Sequence, residues 1–146
     1  MTGLLLSPAR GLFLYFLIAL VAIILVGLRP ALLRRDVGLA CALATVGAIP
    51  FYACVEYWWA GWCVGPRYLT EAEPLLLLLF GMAIERFSGR ARTILIALAF
   101  GVLLPYSIAV QAIGTYSSGP LMWNADRKVP EALWDFVDNP LARAFR

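Results

Sequence analysis

Four apolar runs, at about residues 11–28, 37–55, 70–84 and 93–113, are separated by short polar stretches, and none alternates with the period of two that a half-buried strand requires. The first, from Gly11 through Leu28, contains no charged residue. Runs of this length and uniformity predict helices, because only a helix satisfies every backbone N–H and C=O within one segment surrounded by lipid. A crossing of the ~30 Å hydrocarbon core takes about 20 residues, so the pattern predicts an all-α fold: a multi-pass membrane bundle of about four transmembrane helices. The bundle occupies residues 1–114 and leaves a tail at 115–146. The third run is short, since its wholly apolar part covers only 74–84, roughly 16 Å of helix. Starting that helix at Thr70 supplies the missing length, with Thr70 and Glu73 as a capping box and Glu71 and Glu73 at the positive end of the helix dipole. Pro50 and Pro105 are expected to kink or interrupt the second and fourth helices.

Beyond the fourth run, Ser117, Ser118, Gly119 and Pro120 predict a turn-rich break. Pro130 and Glu131, followed by Leu133, Trp134, Phe136 and Val137, then predict a short amphipathic helix ending near Asn139 and Pro140. Its Trp134 and Phe136 face is expected on the bundle or in the outer headgroup layer.

Composition strengthens the membrane reading. With 62% hydrophobic and 14% charged residues, the 146-residue chain is far from a soluble domain, in which charge is about a quarter. Arginines 29, 34 and 35 follow the first run and arginines 86, 90 and 92 the third, whereas the loop between the second and third runs offers only Arg67 beside acids. The positive-inside rule then places both arginine-rich loops in the cytoplasm, and both termini, the 56–74 loop and the tail outside. The basic flank behind the first run also marks it as a retained span and not a cleaved signal. A net charge of +3 scattered over loops gives no nucleic-acid footprint. The absence of histidine removes His-based acid–base, nucleophilic and metal chemistry, and Cys41, Cys54 and Cys63 form no C-x-x-C pair, so neither a metal site nor a cofactor is expected.

Residues 56–74 concentrate the candidate chemistry: three tryptophans, two tyrosines, one arginine and three carboxylates between two apolar runs. Trp58, Trp59 and Trp62 can stack on a sugar or a polyprenyl chain, but Trp and Tyr settle at headgroup level, so an aromatic belt accounts for them without any ligand. A guanidinium at that level can clamp a phosphate through its planar fork, and Gly65 and Pro66 set a turn that aims Arg67. The competing reading is that Arg67 pairs with Glu71 or Glu56. Glu71 and Glu73, two residues apart on a helix, do not converge and make no catalytic pair.

The segment also resembles a family. Trp59, Gly61, Gly65, Pro66, Arg67, Tyr68 and Leu69, the stretch Ser7-Pro8-Ala9-Arg10-Gly11-Leu12-Phe13, and Trp134, Asp135 and Phe136 with Asn139, Pro140 and Arg143 are together similar to the closing part of bacterial GT-C-type, polyprenyl-phosphate-dependent, mannosyltransferase-like glycosyltransferases. Ala60 stands where a second Gly is usual, and Glu71 and Glu73 where less acidic residues are typical. The resemblance implies a bacterial inner-membrane protein using a polyprenyl-phosphate-linked sugar on the outer face. Arg67, Tyr68, Trp59, Trp62 and Glu71 are the implied lipid-phosphate or substrate contacts. The catalytic Asp that the family carries in its first outer loop belongs to an upstream half not matched here, so the chain is expected to be inactive alone and to work with a missing N-terminal half or a partner membrane subunit. The alternative is a small non-enzymatic membrane protein that packs beside a partner.

Overall fold

The computed structural model describes residues 2–34, 36–59, 63–126 and 131–145, and every regular element among them is helical. Two single turns, α1 (Thr2–Leu6) and α2 (Leu12–Tyr15), lead into α3 (Leu17–Leu28), and a 3-10 turn at Pro30–Arg34 connects to α4 (Asp36–Ala53). A second 3-10 turn, Arg67–Leu69, precedes α5 (Ala72–Ile84). Next come α6 (Gly89–Leu98), a π-helical turn (Ala99–Leu103) and α7 (Leu104–Tyr116), which make one continuous rod. The tail holds α8 (Ser118–Asp126), a 3-10 turn at Glu131–Trp134 and α9 (Pro140–Arg143).

The core forms around α5, which packs on both α3 and α4. Its buried Leu76, Leu79, Phe80 and Ala83 recur at helical spacing, and α3 meets it through Ile18, Ala19, Ala22 and Leu25. The fully buried Ala19 and Ala22 carry no bulk that would hold the backbones apart. Outward, the apolar surface is bare: no residue of α6 is buried, and Ile94, Phe100, Val102 and Ile108 are exposed along the rod.

Two helices, Asp36–Ala53 and Gly89–Tyr116, are long and apolar enough to cross a membrane, against the four expected. The other two apolar helices have 12 and 13 residues, about 18 and 20 Å. The run at 11–28 is divided by Phe16, whose φ of −136° and ψ of 75° leave the helical region. The run at 70–84 starts at Ala72, because the capping box does not form: Thr70 Oγ1 donates 2.7 Å to the Arg67 carbonyl, and Glu71, at the N-cap position, makes no side-chain cap. Length comes instead from the 3-10 turn, since Thr70 and Glu71 are helical and join Arg67–Leu69 to α5.

Pro50 is accommodated inside α4 three residues before its end. Pro105 is accommodated by the π turn: it has no N–H for the carbonyl four residues back and its ring crowds that carbonyl, and a widened turn relieves both. In the tail, the break expected at 117–120 opens α8, because Ser, Gly and Pro that stop one helix also suit the first turn of the next. The amphipathic helix expected after Pro130 is only the four-residue 3-10 turn, with Leu133 buried and Trp134 and Phe136 outside.

The two ends of the bundle differ. At one, the Arg29 guanidinium lies 4.9 Å from the centroid of Phe87, joining the turns that follow α3 and α5. At the other, the N-terminal segment, the loop after α4 and the tail meet.

Candidate functional site

At this second end, α4 closes in a turn where Cys54 N–H donates to the Pro50 carbonyl and Val55 N–H to that of Tyr52. Trp58 and Trp59 follow, edge to face at 6.0 Å between ring centroids, with Tyr57 edge-on to Trp59 at 5.4 Å. Both tryptophans are half-buried and pack against a small cluster of Ala9, Trp123 and Leu133. Trp62, expected as a substrate contact, lies outside the described residues.

Beyond Cys63 the backbone bends at Gly65, where φ is +83° and a Cβ would lie 3.0 Å from Cδ1 of Tyr15. Leu69, fully buried, anchors the following 3-10 turn, which leaves Arg67 exposed. The Tyr68 ring stacks on Tyr52 at 5.1 Å and nearly parallel, and the Tyr52 hydroxyl reaches Glu71 Oε2 at 3.4 Å, a long and weak hydrogen bond. Among the described residues Arg67 makes no ion pair with Glu71 or Glu56. Of the expected site residues, Tyr68 and Glu71 thus meet at Tyr52, Arg67 stands exposed on the turn just before them, and Trp59 sits on the tail cluster.

A second group was not among the candidate site residues. Arg10 is buried although charged, with Nη1 donating to the Cys63 carbonyl and its guanidinium 5.8 Å from the centroid of Trp123. Burial pushes its pKa below the usual arginine value, while Cys63 and Tyr15 pull it back up. Trp123 Nε1 donates 2.6 Å to the Asp138 carbonyl, and the Asp138 carboxylate receives Arg143 Nε at 2.7 Å and Nη2 at 2.9 Å, a bidentate pair. Asp135 Oδ1 accepts from the backbone N–H groups of Val137 and Asp138, and Asn139 Oδ1 caps α9 at Ala142 N. The N-terminal segment closes on this tail through Ser7, whose hydroxyl donates 2.6 Å to the Leu133 carbonyl. A cation immediately before a long apolar run, with aromatics and acids far downstream, was the available signal for this group.

Chemically, the end offers an exposed guanidinium, a stacked pair of tyrosines and one weakly held carboxylate. Cys54 and Cys63 form no disulfide, and no group of three or more Cys, Asp or Glu side chains converges among the described residues. No family model, curated protein or solved structure matches the chain. The fold and site define a class, an all-helical protein with two helices of membrane-crossing length and one aromatic, polar end knit from three distant segments.

Proposed function

We propose that this is a membrane-embedded glycosyltransferase-like module whose outer end engages the lipid-phosphate part of a polyprenyl-phosphate-linked sugar, without turning it over alone. The observation that supports it is convergence: the three segments that resemble the GT-C family, around Arg10, Gly65–Leu69 and Asp135–Arg143, lie together at one end of the bundle. Arg67 stands exposed there and makes no ion pair among the described residues, which leaves its fork for a phosphate.

Lipid is the surrounding that suits the exterior, because an exposed apolar surface as extensive as that of α6 and α7 is not tolerated in water. In this reading all four apolar helices cross. The two short ones reach through their flanking turns, since residues 67–84 follow a helical path of about 27 Å. Joined by Arg29 and Phe87, the basic turns occupy the cytoplasmic side of a bacterial inner membrane. Glu71 is occupied with Tyr52, and Glu73 faces a groove beside α7, so the two acids offer no joint catalytic pair.

Lipid binding by the purified chain tests this. Arg67→Lys is expected to weaken polyprenyl phosphate about tenfold, roughly 1.4 kcal/mol, with folding unchanged. Equal retention of polyprenyl phosphate and an ordinary phospholipid by the wild type would remove the ligand and leave the partner-subunit reading, which the unburied face of α6 favours.

A further inference from the structure

Between α5 and α7 runs a seam whose chemistry changes along its length. Its outer part is a groove of about 380 Å³ lined by Glu73, Ser107, Gln111 and Thr115, with Phe16 and Ile108 beneath them. Glu73 Oε1 and Ser107 Oγ are buried atoms without a hydrogen-bond partner among the described residues. Its inner part is a groove of about 240 Å³ lined only by apolar residues, including Ile18, Leu77, Phe80, Ile84 and Phe100. Helical spacing makes the two grooves one seam, because Glu73, Leu77, Phe80 and Ile84 follow one face of α5, and Ile108, Leu104 and Phe100 step back along the rod in fours.

We propose that this seam is a binding cleft for a single membrane lipid with a primary ammonium headgroup, of the phosphatidylethanolamine class. From Glu73 to Ile84 the cleft is about 16 Å long, room for one acyl chain laid along α5. At its head it presents a carboxylate, a hydroxyl and the Gln111 amide. An ammonium has three donors and no acceptor, so it can satisfy the two orphaned oxygens and the amide oxygen together. An anionic head is repelled by Glu73, and a choline head has the charge without the donors. The cleft is separate from the turn that carries Arg67, whose neighbours Tyr68 and Glu71 meet Tyr52 on α4. It requires the membrane setting of the proposed function but not its sugar donor.

The test is native mass spectrometry of the full chain released from nanodiscs of equal phosphatidylethanolamine, phosphatidylcholine and phosphatidylglycerol. The ethanolamine lipid is expected to be retained about tenfold over the choline lipid, and Glu73→Gln to bring the two to within about twofold. Gly81→Leu gives a check that does not depend on the buried acid, since a Cβ there meets nothing within 4 Å and the added side chain fills the apolar part of the cleft. It should abolish retention of the lipid while the protein stays folded. Equal retention of the ethanolamine and choline lipids, preference for the glycerol lipid, or undiminished binding in Gly81→Leu would each overturn the proposal. A chain that fails to enter the nanodisc at all would refute the membrane setting itself.

Discussion

A methyl group at position 65 has nowhere to go, because the backbone is left-handed and the Tyr15 ring closes the space. Gly65→Ala is expected to lower stability by about 1–2 kcal/mol from the backbone alone, read as a shift of the unfolding midpoint in detergent. Gly81→Ala is the counterpart, with ordinary helical backbone and open space, and should raise stability by up to about 1 kcal/mol. If both substitutions behave alike, the turn at Gly65 is not what holds the loop. The Asp138–Arg143 pair gives a different kind of residue test. Arg143→Lys keeps the charge and loses one of two parallel bonds, so the tail should loosen by about 1–2 kcal/mol. Limited proteolysis should then cut within 131–145 sooner than in the wild type, and an unchanged digestion pattern would show the fork to be dispensable. Arg10 illustrates what a sequence hides: it is visible as a cation near an aromatic-rich segment, but its burial depends on Cys63 and Trp123, more than fifty positions away, which no local pattern encodes.

The helices themselves were legible, because uninterrupted apolar runs leave a backbone no other way to satisfy itself. Their ends were not. Thr70 and Glu73 have the spacing of a capping box, yet the hydroxyl turns back to the Arg67 carbonyl, since the chain enters already coiled as a 3-10 turn. Thr70→Ala should accordingly change stability by less than about 0.5 kcal/mol, below the 0.5–2 kcal/mol typical of a true N-cap. A larger loss would restore the capping box. Pro105 was expected to distort its helix, and the form of the distortion, a π turn before it, required knowing that the rod continues on both sides. Pro105→Ala returns a donor and removes the ring clash, so hydrogen exchange of the amides at 99–105 should slow by severalfold. Unaltered exchange would assign the π turn to packing against α3 and not to proline. The tail is ambiguous for a related reason: Ser118, Gly119 and Pro120 carry a helix-stop and a helix-start signal at once, and both are used, α7 ending before the extended Ser117 and α8 opening at Ser118.

For the molecule as a whole, the segregation of arginine turns at one end and aromatics at the other could be read from the order of loops, and the contacts Arg29–Phe87 and Ser7–Leu133 give that order a shape. A native probe of orientation is already present. Cys54 is exposed at the aromatic end, whereas Cys41 is buried inside the bundle. In a Cys63→Ser background, a membrane-impermeant maleimide applied to intact spheroplasts is expected to modify the chain that keeps Cys54 and not the one that also carries Cys54→Ser. Modification only after the membrane is permeabilised would invert the proposed orientation.

The closure of Ser7 on Leu133 spans 126 positions of chain, and it sets a schedule for biosynthesis. A ribosome delivers Arg10 first and Trp123, Asp138 and Arg143 last, so the N-terminal cation has to wait, solvated and accessible, until the final segment has been made. We predict that a nascent chain halted before α8 inserts its helices but stays a substrate for membrane proteases, and that only the completed polypeptide escapes them. Pulse–chase labelling of chains ending at Tyr116 and at Arg146 would measure this as a difference in half-life, and equal half-lives would show that the N-terminal segment matures without its distant partners.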